Sequence, residues 1–217
     1  MEPVPTLIVS GSGQARVAPD EAHVRLGVVA QAPTARAVQD QVSRTAGAVL
    51  DAIRKLGIPA EDVQTSGLSL SPLYSQVRQS NENQSPKITG YQANNTVTVR
   101  VGDLAKTGPV IDAGLGAGAN SLEGVDFGLR NDEAARAQAL ADAARAARAK
   151  AETLAKALGV RLGEILEVAE GGVSISPPPS PRYGMARMEA ASMAPTPVSA
   201  GQVGVEASVT LRYRISQ

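Results

Sequence analysis

The sequence predicts an α+β fold, with an antiparallel sheet packed against two long helices plus one short helix and built around a repeated helix-Gly-strand unit. Three observations carry that expectation. The stretch from Asn131 to Glu167 is an Ala-rich helical segment that stops at Gly159 and runs straight into a strand. The same register occurs earlier: Ala52, Ile53, Leu56, Gly57, Ile58, Asp62 and Val63 align without a gap with Leu154, Ala155, Leu158, Gly159, Val160, Glu164 and Ile165. Glycine just past a periodic helix is a stop signal, and its recurrence in one register marks a unit used twice. Several other segments alternate apolar and polar residues, the period of a strand with one buried face.

The elements follow in order. Leu7 and Val9 alternate with Ile8 and Ser10 before the turn residues Ala18-Pro19-Asp20, and Ala22, Val24, Leu26, Val28 and Ala30 then resume the alternation. A hairpin with one apolar face is expected there. From Thr34, a suitable N-cap, Val38, Val42, Val49, Ile53 and Leu56 recur at helical spacing up to the Gly57 stop. A strand is predicted from Val63 to Leu73, with a bulge near Gly67 because the apolar face switches from Val63 to Leu68 and Leu70. Residues 75–87 are polar except for Val77 and are expected to form a mobile loop. Tyr91 to Val101 is the next strand, with Asn95, Val97, Val99 and Val101 inward. A short helix covers Leu104 to Leu115, ended by Gly114, Gly116 and Gly118, and a strand runs from Ser121 to Leu129.

The second long helix starts at the Asn131 cap, with Asp132 and Glu133 against the positive end of its dipole and an expected Glu152–Lys156 pair. A strand around Ile165 to Val168 follows. Residues 174–200 are rich in Pro and carry Met185, Met188 and Met193; they are expected to be a second mobile excursion. The last strand, Val203 to Ile215, puts Val203, Val205, Ala207, Val209, Leu211, Tyr213 and Ile215 on one face. One strand cannot be a domain, so it is expected to return to the main sheet. Residues 1–5 are then an N-terminal tail and 6–217 a single domain.

Composition narrows the function classes. The 217 residues are 43% hydrophobic, enough for a full core without metal or disulfide staples. The 21 basic and 21 acidic residues leave no net field toward nucleic acid or an acidic membrane surface. The aromatic residues are Tyr74, Tyr91, Phe127, Tyr183 and Tyr213, with no Trp, so stacking platforms for single strands are absent. No nucleic-acid partner is expected. Zero Cys removes thiolate chemistry and Cys-based zinc sites and permits export without proving it. The opening Met1-Glu2-Pro3-Val4-Pro5 has no basic n-region or apolar h-region, and no apolar run of membrane-spanning length occurs. Any envelope association is therefore expected without a transmembrane segment.

The candidate chemistry is sparse. Gly11-Ser12-Gly13-Gln14-Ala15-Arg16 superficially resembles a phosphate loop, but such a loop opens a helix, and here a Pro-Asp turn and a strand follow. The glycines are read as a strand irregularity. Gly114 to Gly118 ends a helix and fails the same test. His23 is the only His and shares the outward face with Arg25; a metal site needs several clustered ligands, so it is read as solvated. Asp20 and Glu21 beside it read as a turn and a strand start. Met185, Met188 and Met193 could bind Cu(I) or absorb oxidant, but in a Pro, Ala and Ser background they more simply mark a weakly docking loop. No catalytic, cofactor-binding or metal-binding residue is assigned.

Taken in order, Val9-Ser10-Gly11-Ser12-Gly13, Pro19-Asp20-Glu21-Ala22, Gly27-Val28, Thr65 to Pro72, Gly90-Tyr91-Gln92-Ala93, Gly118-Ala119-Asn120 with Phe127, Leu154 to Gly159 and the last strand through Tyr213 resemble the SIMPL-domain family. The resemblance covers nearly the whole chain, residues 174–200 matching only as a variable Pro-rich insertion. It implies an α+β domain exported to the periplasm or cell envelope, a contribution to oxidative-stress defence and large ring-like or channel-like homo-oligomers. It implies no catalytic residues. A periplasmic site implies a leader ahead of Met1, and a cytoplasmic site stays open on composition alone. The expected function is thus a non-enzymatic envelope protein acting through homo-oligomeric assembly. The alternative is a peptide- or ligand-binding adaptor, chaperone-like, that uses the loops 75–87 and 174–200.

Overall fold

The computed structural model describes residues 4–75, 86–178, 196 and 198–217. Most of the two loops expected to be mobile, and all three methionines of the second, lie outside the described residues. The fold is α+β. Seven strands, β1 (Thr6–Val17), β2 (Glu21–Ala32), β3 (Val63–Tyr74), β4 (Ile88–Val101), β5 (Ser121–Gly128), β6 (Arg161–Ser176) and β7 (Val203–Ser216), are interleaved with α1 (Ala35–Lys55), α2 (Thr107–Gly116) and α3 (Glu133–Leu158). They divide between two compact units, Asp20–Phe127 with Tyr183–Ser199, and Met1–Pro19 with Gly128–Arg182 and Ala200–Gln217.

The continuous unit is a four-stranded sheet in the order β3-β4-β2-β5, covered on one face by α1 and α2. Thr34 caps α1 as expected, its Oγ1 accepting from the Ala37 N–H at 3.2 Å. Val38, Val42, Ala46, Val49 and Ile53 form the buried stripe of α1. Val38, Val42, Val49 and Ile53 meet Val24, Leu26 and Val28 of β2 and Val97, Val99 and Val101 of β4 in one core. Burying aliphatic side chains of this size stabilises by about 1.5–3 kcal/mol each. The bulge predicted near Gly67 is present, a register shift between Thr65 and Gly67. Gly114 does not end α2. It lies inside the helix, buried, where a Cβ would strike Leu26 Cδ1, so it lets α2 sit directly on β2. Near α2, Thr196 donates its N–H and hydroxyl to the Asp112 carboxylate at 3.2 and 2.6 Å.

The discontinuous unit is a three-stranded sheet, β1-β7-β6, with α3 lying over β1 and β7. Its core is Val9 and Ala15 of β1, the ridge Ala135, Ala139, Ala143, Ala147 and Ala151 of α3, and Val205 to Tyr213 of β7. Two expectations change here. β1 and β2 are not a hairpin: β1 pairs with β7 from Thr6↔Arg214 to Val17↔Val203, while β2 pairs with β4. The last strand, β7, is accordingly the centre of its own sheet and does not join the sheet of β2 and β4. The Pro19-Asp20 corner sends the chain from one sheet into the other, which a local turn signal cannot distinguish from a hairpin.

The two units share one plan. The order β2, α1, β3, β4, with β4 between β3 and β2 and α1 over β2 and β4, reappears as β1, α3, β6, β7, with β7 between β6 and β1. The helix-Gly-strand repeat is the middle of this βαββ plan, with Gly57 and Gly159 both left-handed at φ +76 and +69. Residues 20–127 are inserted between the first strand and the helix of the other unit.

Candidate functional site

On the sheet face of the continuous unit away from α1, alternation along β2 and β4 gathers polar side chains. His23 Nε2 and Glu21 Oε1 are 3.1 Å apart, and Glu21 is 8% exposed. Arg100, opposite His23 in register, donates from Nε to Asp62 Oδ1 at 2.7 Å and also from Nη2. The hydrogen bond and charge of Asp62 raise the Arg100 pKa above its already high value, so this cation is permanent. Arg25 pairs with Asp126, Thr98 Oγ1 donates to Ser66 Oγ at 2.8 Å, and buried Thr96 donates to Glu123 Oε1 at 2.8 Å. Neighbouring partners thus occupy one another. Exposed pairs of this kind contribute about 0–1 kcal/mol each and bind a strand edge in place more than they create reactivity. His23 does take the outward face with Arg25, but it is half-buried and paired, not merely solvated. Among the described residues no three His, Asp or Glu side chains are grouped to hold a metal ion.

The glycine pair read as a strand irregularity has another role. The β1–β7 register runs unbroken through Gly11 and Gly13. A Cβ on Gly11 would strike Ala143 O and Ala147 N, and one on Gly13 would strike Ala139 O and Ala143 N. Absence of side chains lets the backbone of α3 rest on β1, and Lys150 Nζ then donates to Ser10 O at 2.8 Å. The opposite face of this sheet is polar. Ser10 Oγ and Thr210 Oγ1 lie 2.9 Å apart, Gln14 donates to Glu206 at 3.0 Å, and Arg212 and Arg214 pair with Glu167 and Glu164. An open depression of about 650 Å³ at its end is lined by Gln14, Arg16, Ser176, Gln202 and Glu206.

The uncovered apolar surface lies on the edge strands. Cross-strand partners share a face, so Leu68 opposite Asn95 and Leu70 opposite Ala93 lie on the helix side of their sheet, yet they are 61% and 42% exposed. Tyr74 and Ile88, paired with each other, are exposed as well. The equivalent strand β6 leaves Ile165, Val168 and Ile175 exposed opposite the buried Tyr213, Leu211 and Val205. The cause is the same in both units: one long helix lies mainly over two strands and covers little of the third. From the sequence these leucines and isoleucines look like core. The charge pattern around them was readable; the helix's reach was not.

Comparison with known proteins agrees with this plan along its length. The model of the SIMPL family, described as a protein of unknown function (DUF541), matches residues 7–213. The chain is 36% identical over 220 residues to the 26 kDa periplasmic immunogenic protein of Brucella melitensis biotype 1, covering 96% of this chain and 84% of that protein. It is 28% identical over 211 residues to the uncharacterized protein YggE of Edwardsiella ictaluri, covering 97% and 84%. It is 25% identical over 205 residues to YggE of Escherichia coli strain K12, covering 94% and 78%. With the nested βαββ plan lying inside a match that spans 7–213, the chain belongs to the SIMPL family.

Proposed function

We propose that the protein is a non-enzymatic component of the cell envelope that acts through homo-oligomeric assembly. The observation that carries this reading is the pair of uncovered edge strands: each βαββ unit leaves large apolar side chains exposed on the helix side of β3 or β6. Exposed apolar strips at sheet edges recruit partners unless they are covered. A periplasmic site is supported by the relatives named periplasmic, and no helix among the described residues is long and apolar enough to cross a membrane. Neutralised ion pairs on one open face, and hydrogen-bonded hydroxyl, amide and ion-pair partners on the other, favour a scaffold over a catalyst. Closure into a ring- or channel-like assembly would bury at least one of these strips, and a contribution to oxidative-stress defence, which the family resemblance implies, is part of this reading. Native mass spectrometry at micromolar concentration tests the reading. Defined multimers are expected, and a monomer alone would remove it.

A second reading is favoured by the depression beside Ser176 and Gln202, at the foot of the second excursion. In it the protein is a peptide- or ligand-binding adaptor. Deleting 179–195 should then abolish capture of a partner and leave assembly intact; loss of assembly with no change in capture argues the other way.

A further inference from the structure

Within one molecule the two equivalent hairpins carry opposite charge patterns. From Val63 to Tyr74 and from Ile88 to Val99 the β3–β4 hairpin contains no Asp, Glu, Lys or Arg. Its counterpart, β6 with β7, carries Arg161, Glu164, Glu167, Glu170, Glu206, Arg212 and Arg214, of which Glu170, opposite the buried Val209, stands on the helix side. The other two edges are also guarded: Lys150 takes a carbonyl of β1, and β5 carries Glu123 and Asp126. Charge on an edge strand keeps chains apart, and its depletion is the compositional mark of an interface core. This charge-free stretch, bounded by Lys87 and Arg100, is also where Leu68 and Leu70 stand exposed on the helix side, with Tyr74 and Ile88 exposed beyond the register shift and half-buried Pro72 and Tyr91 between them.

From this contrast we infer that the helix-side face of the β3–β4 hairpin is a contact between two copies of this chain, related by a two-fold axis. A two-fold contact places a surface against itself, so a charge near the axis would meet its like; this strip has none to repel there. A partner of opposite sign would find nothing there to recognise. The contact is made by side chains and not by extending the sheet. The bulge between Thr65 and Gly67 interrupts the ladder, and Pro72 has no N–H to offer.

The inference rests on the assembly reading and specifies one of its interfaces. Its test uses the full chain with Leu70→Glu or Tyr74→Glu, beside Val168→Glu on β6 as the matched control, with circular dichroism confirming the fold. By native mass spectrometry and sedimentation, the β3 variants should lose at least tenfold in self-association affinity or halve the protomer number, while Val168→Glu does neither. Should the glutamate variants misfold, Leu70→Cys gives an independent readout, because the parent chain has no cysteine. Oxidation should link two copies through Leu70→Cys far faster than through Val168→Cys. Multimers unchanged by the β3 variants, dissociated by Val168→Glu, or cross-linked equally at both positions would overturn this interface and leave assembly standing. A parent chain that is monomeric at tens of micromolar would overturn both.

Discussion

Gly11 and Gly13 set how closely α3 lies on β1, because the atoms a Cβ would meet belong to the α3 backbone and cannot swing aside. Gly11→Ala or Gly13→Ala should therefore force the helix off the strand, an overpacking cost of about 1–3 kcal/mol. Gly47 supplies the matched contrast. It sits in the interior of α1 with nothing within 4 Å of its Cβ position, so Gly47→Ala should stabilise by about 0.5–1 kcal/mol. Urea denaturation checks the pair: opposite shifts of the midpoint are expected, and a common sign would refute the backbone contact. The Gly-x-Gly spacing was visible in the sequence, but its reason was not. The atoms that require it, on Ala139, Ala143 and Ala147, come from a distant helix, and no local pattern announces them. Alternation puts His23 on the correct face and the strand start falls at Glu21 as expected, but nothing in the pattern shows that these two side chains, two residues apart on one face, meet at 3.1 Å.

At the scale of elements, helices were legible because their signals are local. The Thr34 cap, the Asn131 side-chain Oδ1 accepting from the Glu133 N–H at 3.0 Å one residue ahead of the Asp132 N-cap, and both glycine stops lie within one turn of the helix ends they mark. The pairs along α3 were less so: Glu152 accepts from Arg148 at 2.9 Å, not from Lys156, since both cations are within reach on the same helix face. Strand β6 runs beyond its sequence signal, and its last residues, Ser174 to Ser176, fall in the segment expected to be a mobile excursion. Its register shifts between Leu162 and Ile165, between Ile165 and Glu167 and between Glu170 and Val173 break the period-two signal by which strands are recognised. The stop at Gly159 yields a direct prediction. Its Cβ position is empty, so only the left-handed backbone resists substitution, and Gly159→Ala should cost about 1–2 kcal/mol. Gly159→Asn should cost distinctly less, because Asn tolerates that conformation. Equal losses of thermal stability for the two variants would mean that packing, and not φ, fixes the residue.

For the whole molecule, the sequence disclosed the repeat but not its nesting, since strand partners are chosen by topology and not by the neighbouring turn. Each core cluster is confined to one unit, residues 22–119 in one and 9–15, 135–151 and 205–213 in the other. Local destabilisation should then stay local. Leu26→Ala, at a fully buried site under Gly114, should cost the continuous unit about 2–5 kcal/mol. When that unit opens, the chain between β1 and α3 becomes a loop of about 110 residues. Lengthening a connection of roughly ten residues to that size costs about 2 kcal/mol, so the β1-β7-β6 sheet is weakened but not abolished. Hydrogen exchange of the full chain reads both effects. Amides of α1, β2 and β4 should exchange about 30-fold faster or more, while those of β7 and α3 change by a smaller factor. Val205→Ala should reverse the pattern and spare α1, because residues 22–119 hold a core of their own that contains no residue of β7. Equal acceleration everywhere in both variants would mean that the two βαββ plans unfold as a single cooperative body.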